Sequence, residues 1–223
     1  MVPTSFVDML ADVQLPAVFN PYRDICHEND LADAPKIRRQ NLLNFILAAR
    51  ESGSPSLWVG RDLGYLGGRR TGIALTDETH ISELNAKYPN MPCLRKATRG
   101  PNITERTASV FWRMINLVDE SIFTWNVFPF HPHEPGKPFS NRCHTAKERR
   151  SVEPILVELL NILEPRQIIA IGNDAETGLT DLGLDCVKLR HPSYGGVTDF
   201  TKGVAILHNL KSLSPTSSQP SFL

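Results

Sequence analysis

Three polar side chains of catalytic type follow short apolar runs in this sequence. Asp62 comes after Leu57, Trp58 and Val59; Asn126 after Ile122, Phe123, Thr124 and Trp125; and His191 after Val187, Lys188 and Leu189. A carboxylate can take a proton or face a developing positive charge. An amide presents one donor and one acceptor side by side, and an imidazole can aim an N–H at a developing anion. Each apolar run is short, rich in aliphatic, β-branched or aromatic residues, and gives way to glycine, proline or other turn-formers, so each reads as a buried strand. Loops leaving the carboxyl ends of parallel strands gather on one edge of the sheet, where open α/β folds bind ligands. The three groups are therefore expected to meet there.

The elements between them support that arrangement. Residues 36–50 carry Leu42, Leu43, Phe45, Ile46 and Leu47 at helical density, then Ser52, Gly53, Ser54 and Pro55 stop the helix. The first chemistry-bearing loop holds Gly60, Gly64, Gly67, Gly68 and Gly72, which disfavour regular structure and let backbone and ligand approach. Ile73, Ala74 and Leu75 suggest a short strand, and residues 76–103 an irregular excursion over the surface. A helix with an apolar face is expected over 104–119. Thr145 and Glu148 have capping-box spacing, and Pro154 is expected to kink or break the helix they open. Residues 167–172 form the clearest buried parallel strand, 185–189 a fourth strand and 197–210 a last helix; 212–223 is a polar tail expected to be disordered. The fold class is α/β: a three-layer α/β/α sandwich with a central, mainly parallel four-stranded sheet. Residues 1–211 read as a single domain.

Composition narrows the function. The 24 basic and 24 acidic residues balance, which argues against a highly basic coating protein. Cys26, Cys93, Cys143 and Cys186 are far apart, so a zinc ribbon or iron–sulfur cluster is not expected, and reduced buried thiols are. No signal peptide or membrane-spanning run is visible, which reads as a soluble intracellular protein. His131 and His133 have metal-like spacing, but prolines around them favour a loop, and no metal or cofactor is expected. Lys147, Arg149 and Arg150 read as plain helix surface.

At the three loops the sequence resembles the uracil-DNA glycosylase superfamily. Its first motif stands here as Gly60, Arg61, Asp62, Leu63, Gly64, followed by Thr71, Gly72, Ile73, Ala74, Leu75. The asparagine that leads into a proline-rich loop is Asn126, and the closing His–Pro motif is His191, Pro192, Ser193. A leucine-rich helix feeding a Pro-x-x-Ile-Ile-Ala-x-Gly strand lies between them, as 165–172 does. Three departures stand out. Leu63 replaces the usual proline, Leu75 replaces the phenylalanine that stacks on the base in many members, and Gly64 replaces the tyrosine that blocks the thymine methyl in the strictest enzymes.

The resemblance implies removal of uracil from DNA, to leave an abasic site, by catalytic Asp62 and His191. Asp62 would orient water beneath a sugar with oxocarbenium character, and His191 would donate to the departing uracil anion. Gly60, Arg61, Leu63, Gly64, Leu75 and Asn126 would line the base pocket, Asn126 reading N3–H and the 4-oxo group. Ser193, Tyr194, Gly195, the Gly196 amide and Arg69 would contact DNA, Tyr194 as a wedge in the vacated stack. Phe128 or Tyr65 could stack on the base in place of the missing phenylalanine. The implied partner is DNA containing uracil or an abasic site, and the implied state is a monomer. Two other readings stay open: a uracil- or abasic-DNA binding protein of the same fold with slow turnover, and a nucleotide-binding α/β enzyme, although no phosphate-loop motif is present. Taken singly, each motif also has a plain reading as a surface loop or turn.

Overall fold

The apolar runs become four parallel strands in the order β3-β2-β5-β6, where β2 is Ser56–Gly60, β3 Ile122–Asn126, β5 Gln167–Ile171 and β6 Val187–Leu189. β2 and β3 are buried along their whole length, as strands covered on both faces must be. Their register pairs Gly60 with Asn126. The strand order reverses direction between β2 and β5, which opens a crevice at the carboxyl edge of the sheet. The computed structural model describes residues 2–210, so the polar tail expected from residue 212 lies outside the described residues.

Helices cover both faces. On one, α1 (Pro3–Asp12), α2 (Ala34–Glu51) and α6 (Ala146–Leu163) pack together. There Phe45 stacks on Phe123, ring centroids 4.3 Å apart, and Phe6 meets Trp125 at 5.8 Å. On the other face lie α5 (Arg106–Ile115) and α8 (Val197–Leu207), whose Phe111 and Phe200 pack together, with Phe200 against Trp58. Because side chains alternate along a strand, Asn126 shares the Trp58 and Thr124 face, the one beneath α5 and α8. α7 (Asn173–Thr180) leaves β5 directly.

Several expectations are corrected. Residues 73–75 form no strand: Gly72, in the left-handed region, ends the short helix α3 (Gly68–Thr71). The Thr71 hydroxyl then accepts from the Ile73 amide at 3.1 Å, making a tight turn. The segment 76–103 is not a surface excursion. It contains α4 (Ile81–Lys87), and Asp77 and Glu78, both nearly inaccessible, bind the amides of Glu105 and Ile103. Helix α6 runs unbroken through Pro154, because Pro154 and Arg150 are exposed and water can take the carbonyl that loses its partner. Its capping box at Thr145 and Glu148 is present.

Arg149 is buried against Glu153 and Asp181 rather than lying on the helix surface. His131 and Pro132 form β4, paired antiparallel with β1 (Val18–Phe19), in place of a free loop. No cysteine is buried: Cys93 and Cys143 are exposed, Cys26 and Cys186 half-buried, and all four are free thiols.

The N-terminal segment holds the glycine-rich loop in shape. The Tyr22 hydroxyl donates to the Gly72 carbonyl at 2.7 Å and Arg38 Nε to the Arg70 carbonyl at 2.9 Å. Arg38 is itself fixed by Asp30, Nη1 to Oδ2 at 2.9 Å, with both side chains buried.

Candidate active site

The three loops do converge. Val127 N donates to the Gly60 carbonyl and Phe128 N to the Arg61 carbonyl, each at 3.0 Å, so the loops after β2 and β3 leave the sheet bonded to each other. Gly172, at the end of β5, donates to the Leu189 carbonyl at 2.8 Å, and a Cβ on it would be 3.1 Å from His191 Cβ. The β6 loop is thereby carried across the crevice towards the other two.

Asn126 is 1% exposed, and neither Oδ1 nor Nδ2 has a hydrogen-bond partner among the described residues. A buried amide with both ends unsatisfied costs on the order of 1–3 kcal/mol per group, a cost that a ligand can remove. Its Oδ1 lies over Gly60, where a Cβ would be 2.5 Å away, and Leu75 closes the same spot with a methyl 3.1 Å from that Cβ. Gly60 and Leu75 therefore pack against the Asn126 amide. Leu63 is buried and packs on Gly68, fixing the turn, and Gly64 is half-buried.

Asp62 is held firmly. Its Oδ2 accepts from Arg61 Nε at 2.9 Å and from the His144 amide at 3.3 Å, while Oδ1 has no partner among the described residues. Arg61 also reaches Asp174 Oδ2 at 3.2 Å, bridging the loop after β2 to the first turn of α7. Burial works against the Arg61 charge, but Asp62, Cys143 and Asp174 together outweigh it and the guanidinium pKa is raised. The His144 ring stands 3.4 Å from Asp62 Oδ2 and packs on Phe128 at 5.2 Å. Sequence reasoning missed His144, which lies on the loop before α6 and is brought to Asp62 by tertiary contact.

His191 has a defined tautomer. The Ser193 amide donates to His191 Nδ1 at 3.1 Å, and Ser193 Oγ is 2.7 Å from the same nitrogen. An amide can only donate, so Nδ1 carries the lone pair and Nε2 the proton. Burial, then the Arg61 and Arg190 guanidinium groups, lower the imidazole pKa from its usual value, which keeps the ring neutral at physiological pH. Phe111 of α5 meets it edge-on at 6.0 Å. A neutral N–H aimed from a half-buried ring can stabilise a developing anion.

Tyr194, two residues after Pro192, is 97% exposed at φ 50°, and Gly195 follows at φ 77°. The Gly195 amide is unpaired among the described residues, whereas Gly196 N is bound to the Ser193 carbonyl and is not available to a phosphate. Arg69 is corrected too: 5% exposed, it lies over the Phe19 and Phe139 rings at 4.2 and 4.8 Å and donates to the Pro138 carbonyl. It braces the loop instead of facing outward. Phe128 is fully buried, so it cannot lie flat on an incoming base without moving; Tyr65 is half-buried. Among the described residues no group of acidic, cysteine or histidine side chains could hold a metal ion.

A family model for the uracil DNA glycosylase superfamily matches residues 56–209, a span that begins with β2 and contains all three loops. The chain belongs to this superfamily. Superfamily members are glycosylase hydrolases that act on DNA. Among solved structures, the chain matches the crystal structure of wild-type Pedobacter heparinus SMUG2 with a TM-score of 0.62 and 16% identity, over 94% of this chain and 99% of that one. At that identity the likeness is one of fold. No curated protein sequence matches the chain. Among the described residues of this superfamily member, no helix is long and apolar enough to cross a membrane.

Proposed function

We propose that the chain is a monofunctional DNA glycosylase that hydrolyses the N-glycosidic bond of uracil in DNA and leaves an abasic site. The observation that carries this reading is the Asn126 amide, buried with its donor and its acceptor both unmatched. Uracil offers N3–H and a 4-oxo group side by side, which match an acceptor beside a donor; cytosine offers the opposite pattern at position 4.

The remaining groups act on the transition state. As the base departs, the sugar gains oxocarbenium character and the base gains negative charge. Asp62, with Oδ2 anchored by Arg61 and His144, keeps Oδ1 to orient water and face the cationic sugar. His191 Nε2–H serves the 2-oxo group of the leaving base, which carries more charge in the transition state than in the ground state. Tyr194, displayed at the tip of the His191 loop, fills the stack that the base vacates, and Ser193 and the Gly195 amide serve the adjoining phosphates. The partner is DNA bearing uracil or an abasic site, bound by a monomer inside the cell. Side chains supply every step, so no metal or cofactor enters it.

The slow-turnover binding reading draws on the Asp62–Arg61 pair, since the guanidinium already occupies Asp62 Oδ2 at 2.9 Å. One experiment separates the two. Single- and double-stranded oligonucleotides with one uracil are incubated with the protein and a chelator, then treated with alkali. Strand cleavage at uracil supports the glycosylase; retention of the uracil or abasic strand in a gel without cleavage supports the binding protein. Neither outcome would reject both.

A further inference from the structure

Arg69 carries a buried charge that no acid neutralises. It is 5% exposed, yet among the described residues its guanidinium makes no ion pair. Nη1 donates to the Pro138 carbonyl, and the guanidinium carbon lies over the Phe19 and Phe139 rings at 4.2 and 4.8 Å. Nε and Nη2 have no partner among the described residues. The neighbouring arginines are each served: Arg38 is held by Asp30, and Arg70 stands 3.2 Å from Glu78. Burial lowers the Arg69 pKa, and Asp30, whose charge reaches it, is already bonded to Arg38. One carbonyl and two ring faces stabilise a guanidinium only in part, and a buried cation without an anion is costly to keep.

The guanidinium belongs to the wall of an open hollow of about 550 Å³. The β1–β4 ladder, the turn after Asn20, α3 and the proline-rich loop surround this hollow, through residues that include Phe19, Arg23, Asp24, His27, Arg69 and His133. Asp62, Asn126 and His191 do not line it. Asp24, the acid in the wall, is engaged already. The Asn20 amide donates to its Oδ2 at 2.8 Å, and Arg23 Nε stands 3.9 Å from its Oδ1. His133 donates from Nδ1 to the Glu134 carbonyl at 2.9 Å, which leaves Nε2 unpaired among the described residues. Two guanidinium groups thus face one carboxylate, with two imidazoles beside them.

We propose that this hollow binds a phosphate group, at a site separate from that of base removal. The inference stands on the hollow and its excess of positive charge, whatever base the chain acts on. An arginine fork gives parallel N–H bonds to two oxygens of one phosphate. A tetrahedral phosphate still has an oxygen to offer Arg23, His27 or His133, whereas a planar carboxylate has spent both of its own. The phosphate can belong to a free nucleotide or to a strand of DNA, since either presents the same oxygens to Arg69.

The test titrates the nitrogen-15-labelled full chain with inorganic phosphate, thymidine 5′-monophosphate or a uracil-free single-stranded oligonucleotide, with chloride at matched ionic strength as the control. Backbone amide shifts are followed by NMR. Saturable shifts at Phe19, His27 and His133 are expected with at least one phosphate probe and not with chloride. Arg69→Gln is expected to abolish them. Arg23→Glu, an exposed change that leaves the Arg69 brace intact, is expected to weaken binding by about tenfold or more, and it decides alone if Arg69→Gln does not fold. Saturation by phosphate or the monophosphate but not by the oligonucleotide supports a site for free phosphate compounds, and saturation by the oligonucleotide supports a site for the DNA backbone. No saturable shift at these amides with any probe, or equal affinity in wild type and Arg23→Glu, would overturn the proposal. Neither result bears on uracil excision, so this site and the glycosylase reading stand or fall separately.

Discussion

Gly60 lies directly beneath Asn126, so close that a Cβ on the glycine would come within 2.5 Å of the amide oxygen. The parallel register of β2 and β3 creates this contact by pairing the two residues. Gly60→Ala must therefore push the Asn126 side chain aside or spread the strands. Excision of uracil is expected to fall by about a hundredfold, with a stability loss of about 1–3 kcal/mol from overpacking. Single-turnover rates and urea unfolding measure both, and an unchanged rate would remove Gly60 from the pocket.

Asp62→Asn separates charge from position. The Arg61 and His144 donors can still bond an amide oxygen, so the fold is expected to persist with little change in melting temperature. The carboxylate's action on water and on the cationic sugar is lost, at a cost of about 10²–10⁴ in rate. Circular dichroism and single-turnover kinetics check the two halves, and a near wild-type rate would contradict the role given to Asp62.

Ser193 fixes the protonation state of His191. Both of its contacts fall on Nδ1 and favour the neutral ring, adding to burial and the two arginines. The His191 midpoint in an NMR titration is expected below the usual imidazole value of 6.5, and Ser193→Ala should move it upward. His191→Ala should cost about 10²–10³ in excision. A wild-type midpoint at or above 6.5, or no movement in Ser193→Ala, would contradict the assignment.

His131 gives the fold an acid limit. Fully buried, it donates from Nε2 to the Ser140 carbonyl at 2.9 Å, and burial, then Arg69, lower its pKa from 6.5 to about 4. Between those values the unfolded chain takes up a proton that the folded chain refuses. Stability is therefore complete above about 6.5 and falls as the pH drops towards 4, by at most about 3 kcal/mol for this group. Urea unfolding from pH 7 to 4.5 should show that slope, and His131→Asn should make it shallower, leaving the share of His208, whose pKa burial also lowers to about 4.

Much of this architecture could be read from the chain because strand burial and chemistry coincide in it. Leu57 to Val59, Ile122 to Trp125 and Ile168 to Ile171 are apolar enough to mark the sheet, and each delivers its loop to the same edge. What stayed hidden depended on tertiary partners. Asp77 and Glu78 look like solvated acids until the amides they bind, at Glu105 and Ile103, are brought in from beyond the next turn of chain. Arg69 looks like a surface cation until Phe19, distant in sequence, slides under it. Arg149 is drawn inward by Asp181 in the same way. Helix α1 is short and its N-cap makes no side-chain bond, so local signals are weak and contact with α2 and α6 decides it. His144 reaches Asp62 through the backbone, and no residue-type pattern encodes that approach.

The central claim is that the unsatisfied Asn126 amide reads uracil. Asn126→Asp keeps size and shape but turns the donor into an acceptor, the partner that the cytosine amino group needs. The direct measurement is single-turnover excision, by wild type and Asn126→Asp, from matched oligonucleotides carrying one uracil or one cytosine. The account predicts that the wild type cuts at uracil alone, and that the variant loses uracil activity by about a hundredfold while acquiring detectable cleavage at cytosine. Undiminished preference for uracil in the variant would contradict the account, because the base would then be read by some other group.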